Sequence, residues 1–592
     1  MQTSSQLQTL LRSLHRKSYP AYKSLKGCYQ FEQYLLSIDH VQGDPFAAPS
    51  HVSVKIDGRT AGFPAFCLKS NLTRTTLADY LTRQFEQQIS RYAFRAKGSG
   101  KSGLISTSRC GQEVFARTAC EVNETGITAR FFVGFPANGR TINAEELEKI
   151  LFDFLPVCIQ KAFFYRNQNA KALETAVFLS EDQAFLREEL KKRRLVAFVA
   201  DGSVLPRESG VSSRPMKQAM PFSSPDSLRI CITLPHHGPI TGMGIPEGIT
   251  LIVGGGYHGK STLLTALESG VYNHISGDGR EYVLTDESAL KLRSEDGRFI
   301  KDVDISLFIN DLPNQKDTHC FSTEDASGST SQAAGIIEGI ESGSRVFLLD
   351  EDTSATNFMV RDAFMQKVIR QEKEPITPFL SRARDLYEKA GISTILVAGS
   401  SGAFFHIADT IIQMDSYRPV DITTRVKSLC REFPLSDVLP PAFYLPQSRR
   451  IMTKSSLGAP KRRDYRTGEI IPGHGRGKNH ATDTDGFEER LKIKVHSKDS
   501  FSLGKLDIDL RYVEQLMDAE QTASLGQLLK YAVEHLIDGK RTLSEIVEYL
   551  YAQLQKKGPG FFLEENHIPC GYAMPRKQEI YSCFNRWGCR TK

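Results

Sequence analysis

A glycine-rich segment that ends in a lysine and two hydroxyl residues has the clearest chemical capability in this sequence. Residues 254–262 read GGGYHGKST and directly follow the apolar run 249–253, ITLIV. This is the pattern G-x-x-x-x-G-K-[ST], in which backbone N–H groups surround a phosphate chain, the lysine reaches the β- and γ-phosphates, and the serine hydroxyl binds Mg²⁺. Residues 263–267, LLTAL, are typical of a helix, whose N-terminus adds positive potential. The segment predicts a nucleotide-binding site that consists of Gly254, Gly255, Gly256, Tyr257, His258, Gly259, Lys260, Ser261 and Thr262.

A second segment, residues 346–352, reads VFLLDED and lies downstream of the first. An apolar strand that ends in acids is the expected partner of a phosphate loop. Asp350 can hold Mg²⁺ directly or through water, and Glu351 can orient or deprotonate an attacking water. Taken alone the pattern is weak, since strands often end at solvated acids. Its place after the phosphate loop predicts a site that hydrolyses a nucleoside triphosphate bound with Mg²⁺.

A third segment lies between these two. Residues 326–332 read ASGSTSQ and precede the helical run 333–341. Glycine and small hydroxyl residues at the start of a helix, here Ser327, Gly328 and Ser329, can receive an anion. The alternative is an ordinary helix N-cap after a flexible loop. In isolation the N-cap is the better explanation, but beside the two phosphate-site motifs we favour the anion-binding interpretation.

The order GGGYHGKST, SGSTSQ and FLLDEDTSATN resembles that of an ATP-binding cassette (ABC) ATPase. More narrowly, the chain resembles the family of soluble predicted ATPases of the ABC class. Other matching strings are VGFPANGR at 133–140, GMGIPEGITLIVGGGYHGKSTLL at 242–264 and DEDTSATNFMVRD at 350–362. The similarity extends from near Tyr19 to near Trp587. It implies an α/β fold with a P-loop ABC-type ATPase core, an N-terminal α+β domain and a mainly helical C-terminal domain.

The resemblance also implies roles for the motif residues, with ATP and Mg²⁺ as ligands. Lys260 and Ser261 match the phosphate-loop positions, while Asp350 and Glu351 match the magnesium carboxylate and the catalytic glutamate. Asp352 opens the segment that usually communicates between two nucleotide sites. The signature loop, here SGST instead of the usual LSGGQ, is matched by Ser327, Gly328 and Ser329.

Two family positions differ in this sequence. ABC ATPases normally carry a histidine just after the strand that follows the magnesium carboxylate. Here the strand at 395–398 is followed by GSS at 399–401, and the next histidine is His406. The γ-phosphate sensor is therefore missing or replaced by a serine hydroxyl, and the glutamine-loop position matches either Asn310 or Gln315. Because water positioning supplies much of the rate, we expect slow hydrolysis.

The sequence contains one phosphate loop and one signature. In ABC ATPases the signature loop of one domain closes on the nucleotide held by another, so one chain supplies only half of each site. The simplest solution is a homodimer with two ATP molecules between its subunits, which a twofold interface permits. ATP would then hold the two copies together, and hydrolysis would release them.

Composition and periodicity divide the chain into an α+β domain at 1–190, the ATPase domain at 191–445, and a basic linker with a helical domain at 446–592. In the first domain we predict helices at 77–92 and 144–166 and strands at 51–56 and 127–133. Residues 505–556 are predicted to be mostly helical, beginning with apolar residues at 510, 513 and 516.

Two basic stretches are candidates for contact with nucleic acid. In residues 91–140 cations outnumber acids and alternate with aromatic residues. Aromatic faces that stack on bases, beside cations that contact phosphates, form a surface for single strands. The alternative is a solvated basic face over an aromatic core. Residues 447–480 are also basic and either contact phosphates or form a solvated linker. The RNA-binding candidates are Arg91, Arg95, Lys97, Lys101 and Arg109.

The resemblance favours RNA over DNA, because the family includes a kinetoplastid mitochondrial ATPase associated with RNA editing. It implies RNA and an RNA-processing protein complex as partners, and a mitochondrial rather than a cytoplasmic location, while the basic and aromatic stretch favours single-stranded RNA. Residues 1–31 contain no Asp or Glu and place leucines on one helical face, which suits a mitochondrial transit peptide. The alternative is the first helix of the N-terminal domain. A function of a different class is an ATP-gated scaffold for protein partners.

The composition argues against several other classes. The chain is 40% apolar and 24% charged, which is ordinary for a soluble globular protein. It has no apolar run of the ~18 residues that a membrane span needs, so we do not expect a half-transporter. The net charge of +6 allows an acidic partner without requiring one. The cysteines include no C-x-x-C pair, so neither a zinc site nor a disulfide framework is expected.

Overall fold

The computed structural model contains three connected parts, each with a hydrophobic core. A further core in the central part also includes Phe115 from the N-terminal part and Ala573 from the C-terminal part. The structure describes residues 2–361, 374–434, 442–447, 449–454, 491–563 and 567–587, with the backbone of two further strands, Lys461–Arg463 and Ile470–Pro472. Most of the basic stretch 447–480 lies outside these ranges. Within them, no helix is long and apolar enough to cross a membrane.

A seven-stranded sheet covered by helices forms the N-terminal part. The predicted strands at 51–56 and 127–133 and the predicted helices at 77–92 and 144–166 are found, the last one interrupted by a π-helical turn at Lys149–Phe154. The strands in spatial order are Gln2–Thr3, Gly27–Gln30, Leu35–His40, Ser50–Asp57, Gly126–Val133 and Ile105–Ser106, with Cys120–Val122 also paired to Gly126–Val133. The main helices are Ser4–Ser13, Asn71–Ile89, Ala144–Glu148, Leu155–Phe163 and Ala170–Lys192.

The first helix is packed into this N-terminal core. Leu7 and Leu11 of Ser4–Ser13 are fully buried, and Arg12 forms an ion pair of 2.5 Å with Glu148. The leucine spacing that suits a transit peptide therefore also packs this helix on the N-terminal part, as the alternative interpretation predicted.

The central part contains two larger sheets and a two-stranded sheet of Arg298–Val303 and Phe321–Ala326. The first has six strands, and all neighbouring pairs are parallel except the last. Its inner strands are nearly continuous apolar runs, which is typical of parallel sheets covered on both faces. In spatial order its strands are Leu290–Leu292, Val346–Asp350, Ser393–Val397, Ile249–Val253, Thr410–Asp415 and Arg418–Asp421. The second, antiparallel sheet contains Arg229–Leu234, Gly238–Pro246, Leu195–Ala200 and Val283–Thr285.

The C-terminal part is helical with a small sheet at its start. The helical prediction for 505–556 is wrong in its first section, because Leu506–Asp509 is a strand and the buried residues Leu510, Val513 and Leu516 lie in turns. Their spacing of three residues packs a turn on the core as well as it would a helix. The elements are the strands Ile493–Ser497, Ser500–Leu503 and Leu506–Asp509 and the helices Ala519–His535, Leu543–Lys557 and Lys577–Asn585.

Buried polar contacts join the C-terminal part to both other parts. Arg117 of the N-terminal part forms ion pairs of 2.6 Å with Asp518 and with Glu520. Tyr272 of the central part donates a hydrogen bond to Glu579. The three parts are therefore connected through side chains that are largely removed from water.

Candidate nucleotide site

The phosphate loop lies between a buried strand and a helix, as predicted. Ile249–Val253 ends at the loop, and the helix Lys260–Ser269 begins at the motif lysine. The Lys260 ammonium donates hydrogen bonds to the carbonyl oxygens of Gly254 at 2.6 Å and Gly255 at 2.8 Å. Among the described residues no carboxylate forms an ion pair with Lys260. Its charge is therefore available to an anion bound in the loop.

The loop runs very close to the hairpin that joins Thr410–Asp415 to Arg418–Asp421. Gly254 has a φ of 140°, and a Cβ there would lie 2.4 Å from the carbonyl oxygen of Met414. The imidazole Nδ1 of His258 accepts a hydrogen bond of 2.9 Å from the N–H of Ser416. Glycine is therefore needed at 254, and His258 fixes the loop to this hairpin.

Strand register brings the two halves of the site to one edge of the sheet. Asp350 is paired with Val397, and Val397 with Ile252, so the ends of three adjacent strands lie side by side. Asp350 is buried, and burial raises the pKa of its carboxyl group, although the N–H of Asp352 donates to it at 3.1 Å. A bound cation would offset this cost of burial.

The carboxylate of Glu351 is held by the loop at 399–401. The N–H groups of Gly399 and Ser400 donate to its Oε2 at 2.7 and 2.9 Å, and the Ser400 hydroxyl donates to its Oε1. Partial burial alone would raise the pKa of Glu351. The hydrogen bonds outweigh that effect and hold its pKa below the usual value.

The site has no histidine at the sensor position, as the sequence indicates. His406 lies in the short helix Phe404–Ile407, where its backbone carbonyl accepts a hydrogen bond from Lys427 at 3.1 Å. Among the described residues no hydrogen bond joins His406 to Glu351. Ser400 instead contacts Glu351, so the serine alternative agrees with the geometry.

The signature residues begin the helix Gly328–Glu341, where Ser327 is the N-cap and accepts a hydrogen bond from the N–H of Thr330. The hydroxyl of Ser329 donates to Asn357 at 2.6 Å. The Gln332 side chain accepts from the N–H of Ala355 at 2.8 Å and donates to Ser354 at 2.9 Å. The signature helix is thus hydrogen-bonded to the segment that follows Asp352, a residue that is itself exposed. The sequence did not predict this contact, although Gln332 and Asn357 both lie in the matching strings.

The region proposed for RNA contact divides into exposed and buried residues. Arg91, Arg95, Lys97 and Arg109 are exposed, and Lys101 is half-buried. Arg109 lies beyond the strand Ile105–Ser106, whereas the other four belong to the loop at 90–104. The hydrogen bonds that shape this loop include Phe94 N–H to the carbonyl of Gly103 at 2.7 Å and Lys101 N–H to the carbonyl of Pro45 at 2.8 Å.

Two other cations of the basic stretch are unsuited to contact with RNA. Arg117 is buried in its ion pairs with the C-terminal part, and Arg130 pairs with Glu121 at 3.0 Å. Phe115, Phe131 and Phe135 are likewise buried. For these residues the aromatic-core alternative is correct, because Phe131 and Phe135 lie in the N-terminal core and Phe115 packs against Tyr272 in a core of the central part. In contrast, Phe94 is 53% exposed and Phe46, beside the same loop, is 64% exposed.

Only part of the second basic stretch, residues 447–480, lies within the described residues. Arg450 pairs with Glu341, while Arg449 and Lys454 are exposed. Lys461, Arg462 and Arg463 are described by their backbone alone, and Arg466, Arg476 and Lys478 lie outside the described residues. Arg450 therefore serves the packing of the signature helix.

Three family models match successive parts of the chain. Residues 4–166 match the N-terminal domain of the ATPases of the ABC class, residues 169–447 match the P-loop domain of the ABC ATPases, and residues 492–590 match the MRB1590 C-terminal domain. The chain belongs to the ABC-class ATPase family.

A curated relative from Methanocaldococcus jannaschii, the uncharacterized protein MJ1628, is 32% identical over 229 residues. The match covers 37% of this chain and 50% of that protein, so the chain spans about half the length of its relative. The chain is also similar to solved structures. One is the ADP form of MJ1267, an ATP-binding cassette of an ABC transporter, which is 11% identical; the alignment covers 33% of this chain and 88% of that one with a TM-score of 0.23. Another is cbiO1 from Clostridium perfringens, which is 13% identical; the alignment covers 40% of this chain and 94% of that one with a TM-score of 0.26.

Proposed function

We propose that this chain is an ATP hydrolase that closes as a homodimer around two ATP molecules and binds single-stranded RNA in mitochondrial RNA processing. The observation that carries the ATPase part is the meeting of Lys260, Asp350 and Glu351 at one edge of a parallel sheet. Lys260 binds the β- and γ-phosphates, and Glu351 accepts a proton from the attacking water.

The residues at this edge fit a magnesium ion. The Asp350 carboxylate is buried and the Ser261 hydroxyl is exposed at the helix start, and oxygen ligands of these kinds are what Mg²⁺ prefers. Ser261 and Asp350 would hold the ion, which when bound neutralises charge on the phosphates.

Strand spacing supports the homodimer. The signature helix is tied to the edge of the sheet, because the N–H of Glu295, just after Leu290–Leu292, donates to Ser331 at 2.9 Å. Two strands separate Leu290–Leu292 from Ile249–Val253, which at ordinary strand spacing is about 14 Å. A signature loop held there lies away from the phosphate loop of its own chain. The signature loop of a second copy can approach this phosphate loop across a twofold interface.

The exposed loop at 90–104 supports binding of single-stranded RNA. It presents Phe94 beside Arg91, Arg95 and Lys97, with Phe46 next to it. Exposed aromatic rings can stack on bases, while the cations contact phosphates. The match to the MRB1590 C-terminal domain and the resemblance to a mitochondrial RNA-editing ATPase support RNA as the ligand and mitochondria as the location.

Two binding experiments test this function. Titration with Mg·ATP in a calorimeter should release heat with the wild-type protein and none with Lys260→Ala. In filter binding, poly(U) should bind more tightly than duplex DNA, and its affinity should fall steeply with salt because phosphate contacts release counterions. If poly(U) fails to bind at low salt while ATP binds, the protein is instead an ATP-gated scaffold for protein partners.

A further inference from the structure

We propose that Tyr417 stacks on the base of the bound nucleotide. The hairpin after Thr410–Asp415 would then supply the base-binding part of the site. This inference rests on the proposed nucleotide site and assigns a residue for its base specificity. Tyr417 lies outside the phosphate-loop, magnesium and signature motifs, so only its position in space points to it.

The ring of Tyr417 lies against the phosphate loop. A Cβ added to Gly259 would be 3.0 Å from Cδ1 of Tyr417, so the absence of a side chain at 259 makes room for the ring. The backbone of the hairpin is fixed in the same place. The N–H of Tyr417 donates to the carbonyl oxygen of His258 at 3.1 Å, and the N–H of Ser416 donates to the His258 ring at 2.9 Å.

Tyr417 combines exposure with a backbone conformation that its hairpin fixes. The residue is 56% exposed, and its φ is 68°, next to a φ of 50° at Ser416. Both values are those of a two-residue type I′ hairpin turn, because Asp415 pairs with Arg418 and only Ser416 and Tyr417 lie between them. The turn fixes the backbone from which the ring projects. An aromatic ring that is half open to solvent, yet held beside the loop, is a preformed platform for a flat ligand group.

The order of strands places Tyr417 on the nucleoside side of the loop. Asp350, Glu351 and the loop at 399–401 lie on one side of the strand Ile249–Val253, and the hairpin lies on the other. The γ-phosphate must face Glu351, because this residue acts on the attacking water. The nucleoside end of the ligand therefore leaves the loop toward the hairpin.

Tyr257 is the other exposed tyrosine beside the site and is the alternative candidate for the base contact. It lies within the phosphate loop with a φ of 64°, and it is 98% exposed, so almost nothing holds its ring. A platform that is already positioned binds better than a side chain that must be ordered on binding. For this reason we assign the base contact to Tyr417 and not to Tyr257.

The test compares Mg·ATP with inorganic tripolyphosphate, which lacks a base, by calorimetry on the full chain. Tyr417→Ala should weaken ATP binding about tenfold, the size expected for one base–aromatic stack. The same variant should leave tripolyphosphate binding unchanged. Tyr417→Phe keeps the ring and should bind ATP like the wild type. Tyr549→Ala removes an exposed tyrosine from the C-terminal helix Leu543–Lys557, so it is the matched control and should also leave ATP binding unchanged. Tyr257→Ala leaves the Tyr417 ring in place and should weaken ATP binding less than Tyr417→Ala does. For the wild type itself, ATP should bind about tenfold more tightly than ribose 5-triphosphate.

Several results would overturn the assignment. The first is a Tyr417→Ala protein that binds ATP as tightly as the wild type. The second is a Tyr417→Ala protein that loses ATP and tripolyphosphate binding equally, since this would indicate a distorted phosphate loop. A loss confined to Tyr257→Ala would move the contact to that residue. If Tyr417→Ala does not fold, equal wild-type affinities for ATP and ribose 5-triphosphate would still refute base stacking. Failure of the proposed function is distinct, because the wild type would then bind neither ATP nor tripolyphosphate.

Discussion

The hydroxyl of Ser400 donates a hydrogen bond to the carboxylate of Glu351 across two neighbouring strand ends. Together with two backbone N–H groups it satisfies a carboxylate that we propose as the general base. The same bonds lower the pKa of Glu351, which makes it a weaker base while they orient it. Because a base acts only from the correct position, we expect its orientation by these bonds to raise the rate more than the lowered basicity reduces it.

Ser400→Ala should lower kcat about tenfold and leave KM nearly unchanged, because orientation of a base acts in the chemical step. Steady-state phosphate release measures both constants. Ser400→Thr retains a hydroxyl and should recover most of the rate. A rise in KM at constant kcat would show instead that Ser400 contacts the nucleotide in the ground state.

Glu351→Gln should give a dimer that persists in Mg·ATP, because the nucleotide binds but is not hydrolysed and closed dimer accumulates. Size-exclusion chromatography with light scattering measures the mass with and without ATP. Lys260→Ala combined with Glu351→Gln is the control and should stay monomeric. A Glu351→Gln protein that elutes as a monomer in saturating ATP would argue against the shared site.

Charge reversal of the exposed loop, with Arg95→Glu, Lys97→Glu and Lys101→Glu together, should abolish poly(U) binding at moderate salt and spare ATP binding. At low salt the slope of log affinity against log salt should shrink by about 2, since each contact to a single strand contributes about 0.7. The matched control reverses three lysines that are exposed on the C-terminal part, Lys505, Lys540 and Lys556. Equal effects of the two sets would mean that only net charge matters.

Arg117→Ala should destabilise the protein, because it leaves Asp518 and Glu520 largely buried without their cation. Loss of one partner from a buried ion pair costs about 3–5 kcal/mol. Urea unfolding followed by circular dichroism measures the midpoint. Arg109→Ala removes an exposed arginine nearby and should change the free energy of unfolding by less than about 0.5 kcal/mol. Equal midpoints for the two variants would show that Arg117 does not stabilise the junction.

The sequence by itself determined the parts of the site that are local. Each phosphate-site motif is a contiguous run, and its strand, loop or helix follows from the apolar residues beside it and from glycines that permit close approach. The motifs therefore predicted where Ile249–Val253 ends and where the helix Lys260–Ser269 begins. A local pattern can also mislead, as at 510–516, where a spacing of three residues belongs to turns that pack on a core.

Only the tertiary structure decided which residues of similar type share an environment. Arg95 and Arg117 belong to one basic stretch, yet the first is exposed and the second is buried against carboxylates about four hundred residues further along the chain. Ser400 meets Glu351, and Tyr417 meets Gly259, because parallel strands distant in sequence end at the same edge of one sheet. Such contacts depend on how the strands are ordered, and no run of neighbouring residues encodes that order.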